Sequence, residues 1–270
     1  MIDQRVAVLG LGKIGTILLR GLLKAGLPPG NAGATVRHAE RARALSGQLT
    51  VAVGTDNRAV ARAADTVVLA VKPQNVSELV EEIRGDITPA KLVVSVAASV
   101  PTSYIEGRLE KGVPVVRAMP NTPCQVGAGM TGLCKGSHAT AAHLDAARRL
   151  FDTVGRTVLV DEKHMDAVTG LSASGPAFVY IILESLAEAG VKVGLPRDVA
   201  NLLAAQTLFG AAKVALDTGD HPALLKDAVT TPAGCTIDGI LELEDGKLRV
   251  TLIKAVVKAT QRAKELMFES

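Results

Sequence analysis

The sequence predicts an α/β protein: a doubly wound parallel sheet in the first half, followed by an all-helical second half. Three observations carry the prediction. Short apolar runs alternate with amphipathic helical spacings from Arg5 to Val160, and such alternation demands right-handed helical crossovers between parallel strands. The first apolar run ends in a glycine turn that opens a helix. After Asp161 the strand-length runs stop and long helical spacings take over. The division is expected at 161/162, giving segments 1–161 and 162–270.

Taken in order, Arg5–Leu9 (RVAVL) reads as the first strand. Ile14, Ile17, Leu18 and Leu22 then recur at helical spacing across Lys13–Ala25. Leu27–Gly33 is rich in Pro and Gly and reads as a loop. Ala34–Arg37 is a short strand, Glu40–Gly47 a helix and Val51–Val53 a strand. Thr66–Val71 (TVVLAV), bounded by Lys72-Pro73, is almost wholly apolar, as a strand covered on both faces must be. Gln74–Arg84 is helical, and Leu92–Val96 and Pro114–Arg117 are strands. Ala139–Val154 is an amphipathic helix, and Thr157–Val160 the last strand. Pro176–Gly190, Arg197–Asp217 and Lys247–Met267 are the long helices, punctuated at Gly194-Leu195-Pro196, Gly219 and Pro222.

Composition bounds the rest. The 270 residues are 48% hydrophobic and 21% charged, which is globular and allows one large or two ordinary cores. Trp is absent and there are only two Tyr and four Phe, so Ala, Val and Leu must fill the core. A net charge of +3, with Lys and Arg scattered, argues against a nucleic-acid surface. The chain runs from Met1 straight into a strand, with no signal-peptide pattern, and no stretch of about 18 residues lacks a charge or glycine break. No membrane span is therefore expected. Cys124, Cys134 and Cys235 are odd in number and form no CxxC, so neither a disulfide framework nor a metal site is expected, and the location reads as a reducing cytoplasm.

The first chemical motif is Gly10-Leu11-Gly12-Lys13-Ile14-Gly15, between the first strand and the first helix. In this setting the first glycine makes the turn, the second lets backbone approach a pyrophosphate, and the third packs helix on strand. The helix start adds free amides and positive dipole. GxGxxG alone is weak, but the strand–turn–helix context makes it a dinucleotide fingerprint on a Rossmann-type sheet. The competing reading is a turn without a ligand. The second strand ends in Arg37-His38, with no acid before Glu40. A carboxylate there would bond a ribose 2′-hydroxyl, whereas a guanidinium forks onto a 2′-phosphate. NADPH is thus favoured over NADH, the alternative being that Arg37 is merely solvated. Ala70-Val71-Lys72-Pro73 and Met119-Pro120-Asn121-Thr122-Pro123 fall at strand C-termini, where such sheets bind ligands, though each could be a plain turn.

In the helical half, Thr230-Thr231-Pro232-Ala233-Gly234-Cys235-Thr236-Ile237 sets three hydroxyls, a Gly and a Pro ahead of a helical pattern starting at Ile237. Free amides at a helix start attract a carboxylate and threonine hydroxyls add donors. An ordinary N-cap with its turn explains the same residues. Leu171–Ala177 is a second break, its small residues suiting either a close substrate approach or a cap.

These strings together resemble the pyrroline-5-carboxylate reductase family over nearly the whole chain. The resemblance rests on GLGKIG, AVKPQ (Ala70–Gln74), SVAA (Ser95–Ala98) and MPNTP (Met119–Pro123). It is most specific in DAVTGLSASGPAF (Asp166–Phe178), GVKVGLP (Gly190–Pro196) and HPALLKDAVTTPAGCTIDGILELE (His221–Glu244). It implies a cytoplasmic NADPH enzyme that reduces 1-pyrroline-5-carboxylate to L-proline. The segment 1–161 would bind NADP, and the all-helical 162–270 would bind substrate and dimerise, with rings of dimers. Residue by residue, Gly10, Leu11, Gly12, Lys13, Ile14 and Gly15 would hold the pyrophosphate. Arg37 and Asn57 would meet the adenosine phosphate end, and Ala70, Val71, Lys72 and Pro73 the ribose and nicotinamide. Ala97 and Asn121 would complete the cofactor side. Thr236 would be the catalytic contact to the ring nitrogen. Thr231, Gly234, Cys235 and Thr236, with Val229 beside them, would hold the substrate, and Glu162 would lie near its mouth.

Three positions depart from the family pattern: Cys235 stands where small residues or Thr are usual, Ala228 where a polar residue is common, and Ser99 where Gly is usual. The implied chemistry is direct hydride transfer to the imine carbon, with the protein aligning the reactants and excluding water. Thr236 orients the ring nitrogen rather than acting as a strong acid. Rival readings are a six-membered imine acid as substrate, a 3-hydroxy-acid dehydrogenase, and a nucleotide-sensing module without catalysis. The dehydrogenases generally use a helical-domain lysine, and Asp166–Phe178 offers Ser and Gly instead.

Overall fold

The computed structural model describes residues 4–266; Met1 at one end and Met267 at the other lie outside the described residues. Eight strands form one sheet: β1 Val6–Leu9, β2 Ala32–Thr35, β3 Ala52–Gly54, β4 Thr66–Leu69, β5 Leu92–Ser95, β6 Val115–Met119, β7 Gly129–Lys135 and β8 Gly155–Leu159. Their order is β3-β2-β1-β4-β5-β6-β7-β8. The chain reverses its direction of strand addition between β1 and β4, which opens a crevice at their carboxyl ends. Val6 is level with Thr66 and Leu9 with Leu69, so Gly10 and Ala70 leave the sheet side by side.

Side chains alternate across β1, and both faces are covered. Val6 and Val8 pack with Leu18, Leu19 and Leu22 of the helix Lys13–Lys24, while Ala7 and Leu9 pack with Val76, Val80 and Ile83 of the helix Val76–Ile83. Each fully buried leucine in these layers contributes about 1.5–3 kcal/mol of transfer free energy.

The sheet is parallel from β3 through to β6 only. β7 runs antiparallel to β6, and β8 runs parallel to β7, so the last two strands oppose the rest. β7 has no continuous apolar run to mark it in the sequence, because Gly129 and Gly132 interrupt it. Both glycines are demanded by packing: a Cβ on Gly132 would stand 2.7 Å from Val168 Cγ1, and one on Gly129 would stand 2.9 Å from the Val154 carbonyl oxygen. β2 lies two residues earlier than the apolar pattern suggested, and two short helices, Asn57–Ala63 and Thr102–Glu106, add to the predicted set.

By internal contact the chain forms two compact units, the first comprising residues up to Ser174 with those from Lys258 onward, the second Gly175–Val257. The strands end near 161, but residues 162–174 still pack on the sheet: Met165 is fully buried in a cluster with Met119 and Cys134. Leu171–Ala177 is not a break. A π-helical turn at Thr169–Ala173 leads into the helix Gly175–Lys192.

The second unit holds the helices Gly175–Lys192, Arg197–Thr218, Pro222–Ala228 and Cys235–Asp245, and the start of Leu248–Leu266. The first two pack closely where a Cβ on Gly190 would come within 2.9 Å of Ala200 Cβ. Among its described residues only Ala187, Ala200 and Ala204 are buried, while Tyr180, Ile181, Leu202, Phe209, Leu216 and Ile253 are exposed. Apolar faces of this extent call for a cover from outside the chain. Two helical segments, 162–192 and 197–218, are long and apolar enough by length and composition to cross a membrane.

Candidate active site

The three glycines of the first turn serve three different needs. Gly10 has φ +95° and a Cβ there would meet Val71 Cγ1 at 2.7 Å, so only glycine turns the chain out of β1 toward the helix beside Ala70 and Val71. On Gly15 a Cβ would stand 2.5 Å from Gly10 O and 3.1 Å from Ala70 Cβ, which fixes the helix against the turn. Gly12 has nothing within 4 Å of its virtual Cβ, so that side of the turn is open to a ligand. Thr16 donates the first helical bond, to Gly12 O at 3.0 Å, which leaves the amides ahead of it without helical acceptors. No acidic side chain lies in this first helical turn to compete for them.

The turn borders a cleft of about 660 Å³. Gly10, Leu11, Gly12, Arg37, Asn57, Ala70, Val71 and Lys72 line it, which brings together eight of the positions expected from sequence. Arg37 is exposed at the end of β2 and shares the cleft with His38 and Arg41. Arg41 was missed from sequence; one of its nitrogens, Nη2, donates to Leu11 O at 2.9 Å and pins it to the glycine turn. Asn57 is held between two partners: its Oδ1 accepts from Thr35 Oγ1 at 2.6 Å and its Nδ2 donates to Glu82 Oε2 at 2.8 Å.

Other expected cofactor residues sit apart from this lining. Lys13 lines a neighbouring cleft, Gly15 is buried, Ile14 is half-buried and Pro73 opens the short helical turn Pro73–Asn75. Ala97 is buried just past β5, its amide on Ser95 Oγ at 3.3 Å. Asn121 spends its side chain on the loop after β6: Oδ1 accepts from the Met130 amide at 2.9 Å and Nδ2 donates to Ser172 O at 3.2 Å.

The hydroxyl loop lies in the second unit. Its helix begins at Cys235, two residues before the apolar pattern indicated, with Gly234 as N-cap and no side chain capping it. The turn is tight: the Gly234 amide donates to Thr231 O at 3.1 Å, and a Cβ on Gly234 would strike Thr231 Oγ1 at 2.4 Å. Ala233 takes a left-handed φ of 54° to make it. Thr231, Cys235 and Val229 are exposed, while Thr236 is half-buried. The first-turn amides of this eleven-residue helix and the nearby hydroxyls form a concentrated set of donors suited to a carboxylate.

Glu162 belongs to the first unit and its carboxylate is already engaged. Oε1 accepts from the Thr102 amide at 2.7 Å and Oε2 from Thr102 Oγ1 at 2.7 Å, which caps the helix Thr102–Glu106 from a distant part of the chain. Behind it stands Arg117 of β6, 3% exposed, with Nη1 3.9 Å from Glu162 and Nη2 3.6 Å from Asp166. Its Nε and Nη2 make no hydrogen bond. Sequence reasoning missed this group, although a charge inside the apolar run VVRAM was the available signal.

Comparisons with known proteins bear on both halves. Residues 162–266 match the family described as pyrroline-5-carboxylate reductase dimerisation, and residues 5–99 match the family described as NADP oxidoreductase, coenzyme F420-dependent. A pyrroline-5-carboxylate reductase of Methanosarcina acetivorans is 45% identical over 267 residues, covering 98% of this chain and 99% of that one. The structure of a pyrroline-5-carboxylate reductase from Coxiella burnetii superposes with a TM-score of 0.91 at 37% identity, covering 97% of this chain and 98% of the other. A Plasmodium falciparum pyrroline carboxylate reductase, solved with NADP bound, superposes with a TM-score of 0.88 at 28% identity and 99% coverage of both chains.

Proposed function

The chain belongs to the pyrroline-5-carboxylate reductase family, and on that premise we propose that it uses NADPH to reduce 1-pyrroline-5-carboxylate to L-proline, the last step of proline biosynthesis. The observation that carries the reading is full-length similarity at 45% identity to a relative bearing that name, in a chain that keeps both anion cradles.

The cleft fits a dinucleotide phosphate by its own geometry: an open glycine turn leading into a helix whose first amides lack helical acceptors, flanked by Arg37 and Arg41 with no carboxylate at the end of β2. In this reading the amides of the helix start after Gly12 hold the pyrophosphate, with Gly10 to Gly12 shaping the approach, Arg37 takes the 2′-phosphate, and Ala70 to Pro73 line the ribose and nicotinamide. When bound, NADPH supplies the hydride that goes directly to the imine carbon. The chain aligns the imine and shields it. Thr231 and the amides of Cys235 and Thr236 hold the substrate carboxylate, Val229 and Gly234 shape the turn, and the Thr236 hydroxyl orients the ring nitrogen. The nitrogen takes its proton from solvent. Glu162, held by Thr102, and Ala97 and Asn121, held in their loops, act on the site by fixing its frame.

Segment 1–161 is proposed as the NADP-binding domain and 162–270 as the substrate and dimerisation domain. A homo-oligomer covers the apolar faces of the second unit, and a ring of dimers is the proposed assembly. The protein is placed in the cytoplasm in keeping with its free cysteines. NADPH oxidation measured with five- and six-membered imine acids and with a 3-hydroxy acid tests the substrate assignment, the five-membered ring being the best substrate. Thr236→Ala lowers kcat on the order of 10²-fold, as loss of one positioned donor does, and leaves NADPH affinity unchanged. An unchanged kcat removes Thr236 from the mechanism.

A further inference from the structure

The first unit carries a second cleft, of about 870 Å³, that adjoins the cofactor cleft and extends away from it along the helix Lys13–Lys24. Its walls are the outer face of the helix Lys13–Lys24, the helix Ala39–Leu49, and the turn around Val126. Lys13, Arg20 and Lys24 project along it at intervals of seven and four residues, and Arg41 faces them. No Asp or Glu lines it. Elsewhere on this unit arginines meet carboxylates, as Arg58 and Arg62 meet Asp86 and Arg148 meets Asp152. Lys13, Arg20 and Lys24, by contrast, have no hydrogen-bonding or ionic partner among the described residues. Ile17 and Leu45 give the cleft an apolar floor.

Four cations around one concavity raise the local potential, since low-dielectric walls focus the field and no carboxylate cancels it. We propose that this cleft is a binding site for a small oligophosphate. The volume suits a small molecule. Lys13 and Arg20 lie two helical turns apart, on the order of 10 Å, a span that a chain of linked phosphates bridges and a single phosphate does not. Arg41 and Gly12 border both clefts, so an occupant here neighbours the cofactor's phosphates without needing the cofactor cleft.

Calorimetric titration of the NADPH-saturated protein with sodium tripolyphosphate tests the site, because saturation removes the cofactor cleft as a competitor. Binding is expected, and the double variant Arg20→Ser with Lys24→Ser weakens it by roughly tenfold or more. Both side chains are exposed and unbonded, so the variant keeps the fold, and its NADPH affinity stays that of the parent. Absence of binding to the saturated protein, or equal affinity in the double variant, overturns the proposal. Binding to phosphatidylcholine vesicles containing phosphatidylserine, with none to tripolyphosphate, overturns it in favour of a membrane surface. Loss of NADPH affinity in the variant overturns the claim that the two sites are separate.

Discussion

Ser99 Oγ donates to the main-chain carbonyl of Ala263 at 2.7 Å, joining residues 164 apart in sequence. Ser99 sits buried just past β5 with a left-handed φ of 62°, a conformation that favours glycine. Ala263 is in the last described turn of Leu248–Leu266, so the bond ties the end of that helix to the loop after β5. The hydroxyl thus offsets the strain that its own Cβ brings. Ser99→Ala keeps the strain and loses the bond, costing about 0.5–1.5 kcal/mol. Ser99→Gly loses the bond but relieves the strain, for a net change near zero, within about 1 kcal/mol. Urea unfolding at fixed protein concentration ranks the two; equal losses would mean that the left-handed φ at this position stores no strain.

Arg37 decides cofactor choice if its guanidinium meets the 2′-phosphate. Arg37→Ser then raises KM for NADPH by roughly tenfold to a hundredfold, the equivalent of about 1.5–3 kcal/mol for a charge-assisted bond. KM for NADH is unchanged, because NADH has no phosphate there. Parallel losses with both cofactors would assign Arg37 to general positioning.

Arg117 is nearly inaccessible and balances Glu162 and Asp166. Arg117→Met leaves two facing carboxylates and destabilises by about 3 kcal/mol, the low end for breaking a buried pair because both acids are partly exposed. Glu162→Gln keeps an acceptor for the Thr102 amide and costs only about 1 kcal/mol. Chemical unfolding measures both, and a Glu162→Gln loss as large as that of Arg117→Met would make the capping role secondary.

The three thiols divide by burial. Burial first, then the nearby Glu162 carboxylate, pushes Cys134 up to about 12 from its ordinary 9.0, and burial raises Cys124 as well. A raised folded-state value means the stabilisation is complete below pH 9 and is lost as pH climbs toward 12, because the unfolded thiol ionises first. The unfolding midpoint therefore falls over that range, less steeply in Cys134→Ala. In the native protein at neutral pH only the exposed Cys235 reacts with a thiol reagent, and all three react after unfolding. Alkylated Cys235 blocks turnover of the imine while NADPH still binds; a fully active alkylated enzyme would remove the loop from the substrate site.

Local chemistry was legible in the sequence, and long-range pairing was not. The strand, glycine turn and helix at Val6–Lys24 follow from period and glycine spacing, and the long helices 197–218 and 248–266 from theirs. β7 escaped because glycines that permit close packing also erase an apolar run. Asn57–Ala63 is seven residues long and too short for periodicity; its only local signal was the Asp56 cap, whose Oδ1 accepts from the Ala59 amide at 2.9 Å. The roles of Ser99, Glu162 and Arg117 depend on partners 45 to 164 residues away, and no local pattern encodes them.

The most direct test of the central claim follows the hydride. Enzyme, pyrroline-5-carboxylate and NADPH deuterated at both positions of nicotinamide C4 are incubated in ordinary water, and the product is analysed by mass spectrometry and NMR. The account predicts proline carrying a single deuterium on the former imine carbon. Proline free of deuterium, or no proline at all while NADPH binds normally, would contradict it.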